Sequence, residues 1–196
     1  MQIIKLLGDN SRKALDRCTQ VLKNGGICVC PTDTVYGLLA NASDKSAVKR
    51  IYCLKIREAA KPLPVFVKSI EAAKKIAVID SKIEKKLRGA WPGKTTFVLR
   101  LIRGTSIPAA GENTIALRIP DHPFLSILLN DLDFPVVGTS ANRAGLGPYT
   151  KIADVLEQFK NAADQPDLVV DSGNLPESKP STIIDLTRNE EKILRK

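Results

Sequence analysis

A single histidine and four cysteines in 196 residues remove most of the side-chain chemistry on which hydrolases and metalloenzymes depend. His122 stands beside Pro123 at the start of a predicted helix, so Ser-His-Asp and Cys-His mechanisms are poorly supported and His122 reads as a structural or surface residue. The cysteines, at 18, 28, 30 and 53, show no paired CxxC spacing and cannot complete a zinc set with one histidine. Cys28 and Cys30 lie two apart in an apolar run, share one face of a strand, and read as buried core thiols. Also missing are a Walker A sequence, a GxGxxG following a strand, an HExxH and a GxSxG elbow. An ATP site here has to be built without a P-loop.

No apolar run approaches the roughly 18 residues of a membrane span. The start, Met1 to Lys5, lacks the apolar core and cleavage site of a secretory signal. A cytosolic protein without membrane association is therefore expected. Nothing repeats at a fixed period and no stretch has linker composition, so one domain over residues 1–196 is expected. A chain of this length buries roughly 70% of its unfolded surface without staples.

What the chain does have is positive charge. Thirty Lys and Arg against 21 acidic residues give +9, a field that draws in polyanions such as nucleotides or RNA, although a merely Lys-rich solvated surface has the same composition.

Residues 11–24 place Ala14, Leu15, Cys18, Val21 and Leu22 on one helical stripe, capped by Asn10 or Ser11 and stopped by Gly25-Gly26. A strand over 27–30 and a polar turn over 31–37 follow. Asp44 caps a helix through Val48, Ile51, Tyr52 and Leu54, after which Pro62 forces extended backbone into a strand over 63–67. Helices are predicted over 69–76, 81–88, 123–129 and 150–159. Strands are predicted over 95–102, 114–119, 134–138, 168–171, 182–186 and 193–195, with a turn over 139–145. Several strands succeed one another with no helix between, so the class is α/β with a mixed sheet.

Three clusters carry candidate chemistry. Lys55, Arg57 and Lys61 fall within seven residues; on an unbroken helix Lys55 and Arg57 would diverge by about 200°, so a common target requires the helix to end near Arg57. The segment Pro31-Thr32-Asp33-Thr34-Val35-Tyr36-Gly37 leaves a buried strand, the usual place for ligand loops in open α/β sheets. Gly138-Thr139-Ser140-Ala141-Asn142 leaves another, with short neutral donors suited to phosphate, ribose or base edges. Arg118 alternates with Ile115, Leu117 and Ile119, points away from them, and is placed for a carboxylate or phosphate contact. Taken singly, each cluster also reads as a solvated helix end, an ordinary turn or a surface strand residue.

In chain order, PTDTVYGL at 31–38, KIR with KP at 55–62, WPGKTTFVL at 91–99, TIALRIPDHP at 114–123, TSAN at 139–142 and STIIDL at 181–186 resemble the YrdC-like threonylcarbamoyl-adenylate synthases. The resemblance spans nearly the whole chain. It implies a twisted open mixed sheet with helices around a positively charged concave cavity, in the short single-domain form. It also implies a reaction: L-threonine and bicarbonate give a carbamate that attacks the α-phosphate of ATP, leaving threonylcarbamoyl-AMP and pyrophosphate for tRNA modification.

By the same resemblance Lys55 and Arg57 carry the catalytic charge and, with Lys61, hold the triphosphate. Thr114, Ser140, Asn142 and Arg195 contact ATP. Thr32, Arg118, Thr139 and Ser181 form the threonine pocket, with Arg118 as a fork to the carboxylate, and Tyr36 lines the wall between the two. Magnesium arrives with ATP. tRNA or other RNA and downstream threonylcarbamoyl-transfer proteins are the implied partners. Ala144 stands where many members carry a hydroxyl, Pro148 where some place a serine, and Val65-Phe66-Val67 lacks the histidine of longer members. Two competing readings are a non-catalytic RNA-binding or ribosome-associated module of the same fold, and a carbamoyl-transfer domain.

Overall fold

The structure is a computed structural model that describes residues 1–6, 10–58, 61–188 and 190–196. Its elements run β1 (Gln2–Lys5), α1 (Asn10–Lys23), β2 (Cys28–Cys30), β3 (Gly37–Asn41), α2 (Lys45–Lys55), β4 (Val65–Phe66), α3 (Ile70–Lys74), α4 (Ser81–Ala90), β5 (Thr95–Arg100), β6 (Thr114–Arg118), α5 (Pro123–Asn130), β7 (Val136–Ser140), α6 (Ile152–Lys160), β8 (Leu168–Asp171), β9 (Thr182–Asp185) and β10 (Lys192–Arg195). The helix starts are chemically marked. Asp44 accepts from the Ser46 and Ala47 amides, Ser69 from Ala72 and Asp80 from Ile83, each cap worth about 1 kcal/mol.

All ten strands form one sheet in the order β1-β8-β2-β3-β7-β4-β6-β5-β9-β10. It is mixed, as expected: β8 runs parallel to β1 and β2, β4 to β6 and β5 to β9, while the other pairs are antiparallel. Period-two alternation sorts the strand residues between two cores. Val29, Leu38, Val137 and Val169 pack on one face with Ile51 of α2, Leu87 of α4 and Phe159 of α6. Cys28, Cys30, Leu39, Val136 and Val170 pack on the other with Leu22 of α1 and Leu125 of α5. The thiols of Cys18 and Cys30 lie 3.7 Å apart inside this second core, the buried role expected for Cys28 and Cys30.

Two strands, β1 and β3, were not foreseen, and the turn expected over 139–145 starts later because Thr139 and Ser140 belong to β7. The second face matters for function. On it α1 packs over β1, β8, β2 and β3, and residues of β7, β4, β6, β5 and β9 beyond the helices line a cavity.

Candidate functional site

Ile115 and Leu117 of β6 are buried in the first core, so Thr114, Ala116 and Arg118 are turned to the opposite face. There they line a cavity of about 360 Å³ together with Phe66, Val98, Gly138, Thr139 and Ile183 from neighbouring strands. Thr32 and Thr34 close one side; Pro180, Ser181 and Arg195 close another. A second cavity of about 350 Å³, lined by Lys55, Arg57, Lys61, Ser140, Asn142 and Ala144, shares Arg57 and Ser140 with the first. Both volumes are in the range of small-ligand sites.

Arg118 is one of two buried cations at the site, at 3% exposure. Its Nε donates to the Gly93 carbonyl at 2.8 Å, its Nη2 to Asp33 Oδ1 at 2.6 Å, and its guanidinium carbon lies 5.7 Å from the centre of the Phe66 ring. Burial pulls its pKa down from the usual arginine range, opposed by the Asp33 charge. One arm of the expected fork is thus already taken by Asp33.

At the other end α2 stops at Lys55 because Ile56 adopts a left-handed conformation, φ 50° and ψ 50°. The Ile56 amide bonds to the Cys53 carbonyl and the Arg57 amide to that of Tyr52, a Schellman closure with isoleucine where glycine is usual. This is the helix end that the Lys55/Arg57 geometry required. The side chains then differ sharply. Lys55 is buried, and its Nζ donates to the Ser140 carbonyl at 2.6 Å, the Asn142 carbonyl at 2.8 Å and Asn142 Oδ1 at 3.4 Å. Burial, then the neighbouring Arg57 charge, draw its pKa down to about 7. Arg57 is half-buried, donates from Nη2 to the Pro62 carbonyl, and among the described residues has no partner for Nε. Lys61 is exposed and pairs with Glu58 at 3.3 Å.

The C-terminal strand enters the same space. Arg195 donates from Nε and Nη2 to the Ser181 carbonyl at 2.9 and 2.7 Å, while the Ser181 hydroxyl lies 3.0 Å from that of Thr96. Its pKa is lowered by burial and then by the charges of Arg118 and Arg57. Three guanidiniums therefore converge, and among the described residues no carboxylate lines the first cavity. Such mutual repulsion is relieved by an anion.

Of the residues proposed from the sequence, Thr32, Arg57, Thr114, Arg118, Thr139, Ser140, Ser181 and Arg195 line the first cavity, and Lys55, Lys61 and Asn142 line the second. Tyr36 does not form the wall expected of it. It is fully buried, its hydroxyl donating to the Gly173 carbonyl at 2.6 Å and accepting from the Ser172 amide at 3.0 Å, which ties the loop after β2 to the end of β8. Asp33, Gly93 and Phe66, which set Arg118, were given no role from the sequence. The only signal was an acid in the Pro31–Gly37 segment that had no assigned partner. His122 caps α5 without a side-chain bond and lines neither cavity.

A family model for Sua5, YciO and YrdC proteins, described as "Telomere recombination", matches residues 20–196. The chain belongs to the Sua5/YciO/YrdC family. A family relative from Methanocaldococcus jannaschii is 33% identical over 186 residues, covering 94% of this chain and 86% of that one. The threonylcarbamoyl-AMP synthase of Chromohalobacter salexigens is 33% identical over 172 residues, 86% of this chain and 90% of its own. Among solved Sua5/YciO/YrdC structures, P. abyssi Sua5 complexed with L-threonine aligns with all of this chain at a TM-score of 0.90 and 31% identity. This chain spans 57% of that longer protein. No helix among the described residues is long and apolar enough to cross a membrane.

Proposed function

We propose that this protein is an L-threonylcarbamoyladenylate synthase, a nucleotidyltransferase joining L-threonine, bicarbonate and ATP into threonylcarbamoyl-AMP with release of pyrophosphate. The observation that carries the reading is the convergence of Arg57, Arg118 and Arg195 on one cavity whose floor also bears the hydroxyls of Thr114, Thr139 and Ser181. A ligand set with a triphosphate and a carboxylate fits such a surface.

No nucleophile from the protein is required, because the carbamate oxygen attacks the α-phosphorus. The residues have to position and to neutralise. Arg118 with Thr32, Thr139 and Ser181 holds the amino acid; Arg57, Lys61 and Arg195 meet the phosphates. Holding reactants in place contributes roughly 7–11 kcal/mol in favourable cases, and preset cations stabilise charge developing on the transferred group. Lys55 works through the segment it clamps, fixing Ser140 and Asn142 by their carbonyls. Among the described residues no cluster of acids, His or Cys forms a metal cage, so magnesium would travel with ATP, held by phosphate oxygens and water.

The test is direct: labelled bicarbonate, threonine, ATP and magnesium are incubated with the protein, and threonylcarbamoyl-AMP and pyrophosphate are measured. Formation of neither product sinks the proposal. A second reading, an RNA-binding module, is favoured by the net charge of +9 and leaves the buried Arg118 end of the cavity without a use. In the proposed role, tRNA and downstream threonylcarbamoyl-transfer proteins are the partners, and the cytoplasm is the place of action.

A further inference from the structure

Asp33 pairs with Arg118, which lines the cavity, but is not itself one of the lining residues. Its side chain is 8% exposed and that of Arg118 4%, so the pair is removed from water. Oδ1 accepts the 2.6 Å bond from Arg118, while Oδ2 is buried and has no partner among the described residues. Retaining such a pair for stability is a poor solution. Desolvation of two buried charges generally offsets their attraction, and an orphaned acceptor adds to the cost. The arrangement makes sense if it serves the orientation of the guanidinium.

Three contacts fix that group: Gly93 on Nε, Asp33 on Nη2, and the Phe66 ring against its face. Gly138 keeps the ring where it is, since a Cβ added there would lie 2.4 Å from Phe66 ring atoms. Nη1 has no protein partner among the described residues, on a side chain that lines the cavity.

We infer that Asp33 is a positioning residue for the amino-acid end of the site, holding Nη2 so that Arg118 offers its remaining terminal nitrogen to a substrate carboxylate. The inference rests on the reading of this half of the cavity as the threonine pocket. It makes a prediction whose sign is opposite to that of simple electrostatics. Asp33 is negative, so if only the local field mattered, Asp33→Asn would make the pocket more positive and lower the threonine KM. If Asp33 acts through orientation, the threonine KM rises. The amide oxygen of asparagine can still accept from Nη2, so the loss grows from Asp33→Asn to Asp33→Ala.

The experiment measures synthesis by the wild type, Asp33→Asn and Asp33→Ala, varying threonine and ATP separately, with thermal midpoints and calorimetric threonine binding alongside. Expected is a threonine KM raised at least fivefold in Asp33→Asn and more in Asp33→Ala, with the ATP KM within twofold of wild type. Should Asp33→Ala fail to fold, Asp33→Asn and Phe66→Leu, which removes the ring from beneath the guanidinium, carry the comparison. A threonine KM unchanged or lowered in Asp33→Asn overturns the positioning role and leaves the synthase reading standing. Equal rises for both substrates with a lowered midpoint show a structural role and overturn it too. A wild type that makes no product and binds no threonine brings down the reading of the pocket, and this inference with it.

Discussion

At one end of the cavity Arg118 is 3% exposed, with its bonds to Asp33 and Gly93 already made; at the other, Arg57 is half-buried with an Nε that has no partner among the described residues, and Lys61 is exposed. The buried end bears the desolvation of its charge before any ligand arrives and keeps its donors fixed. The open end leaves its cations partly solvated, so the incoming phosphates supply both counter-charge and order. Losses at the buried end should therefore fall on fold and function together, and losses at the open end on function alone.

The largest expected effect tests the first half of that statement. Arg118→Ala leaves Asp33 as a buried, unpaired carboxylate, and breaking a buried pair from one side costs about 3–5 kcal/mol. Synthesis should fall at least a hundredfold and the denaturation midpoint should drop with it. A variant of normal stability would show that the pair is not structurally loaded and would dissolve the contrast.

Arg57→Ala sharpens the other half. Among the described residues its guanidinium makes one bond, to the Pro62 carbonyl, so truncation should change stability by no more than about 0.5 kcal/mol while lowering synthesis at least tenfold. Lys61→Ala, at an exposed position, should cost less than Arg57→Ala. Equal losses at 57 and 61 would mean that the open end works as diffuse charge rather than through a placed guanidinium.

Lys55 is the exception that joins the two regimes, a cation at the open end that is nevertheless buried. Its folded pKa, about 7, lies below the 10.5 of a free lysine. Below pH 7 both states carry the proton, and the folded state bears the full penalty of a buried ammonium. As pH rises from 7 towards 10.5 the folded state has released a proton that the unfolded chain still holds, so stability increases over that window. The slope from this group reaches at most about 1.4 kcal/mol per pH unit, and the three oxygen contacts of the ammonium, which favour its charged form, act to narrow the window. Denaturant titrations at pH 7, 8 and 9 should show the rise in the wild type and its absence in Lys55→Met. A triphosphate nearby would favour the charged form, so ATP binding near neutral pH should take up protons, seen as a dependence of binding enthalpy on the buffer.

The sequence made parts of this legible and not others, for physical reasons. Helix stripes and caps are local, and Asp44, Ser69 and Asp80 all cap where the chain chemistry placed helix starts. Strand β3 escaped because four of its five residues are buried, which erases the alternation that marks a half-exposed strand. Strand β1 is short and owes its existence to a parallel partner, Leu168–Asp171, at the far end of the chain. The cavity residues followed from motif order, and Arg118 from the alternation along β6. Asp33 and Tyr36 did not, because the fate of each is set by a partner distant in sequence: 85 residues away for the Arg118 pair and 137 for the Gly173 carbonyl.

The smallest expected effect concerns the turn that separates the two cations of the KIR segment. Ile56 is 68% exposed and sits at φ 50°, a conformation costing a residue with a Cβ about 1–2 kcal/mol. Ile56→Gly removes that strain and little buried area, while glycine's freer unfolded state takes back roughly 0.5–1 kcal/mol. A net stabilisation of about 0.5 kcal/mol is the expected balance. Because the backbone turn is what aims Arg57, and glycine holds the same turn without strain, synthesis should stay within threefold of wild type. Ile56 also lines the second cavity, which gives the measurement a second edge. If stability rises but synthesis drops tenfold, the isoleucine side chain itself meets the nucleotide, and the open end of the cavity recognises its ligand by apolar contact as well as by charge.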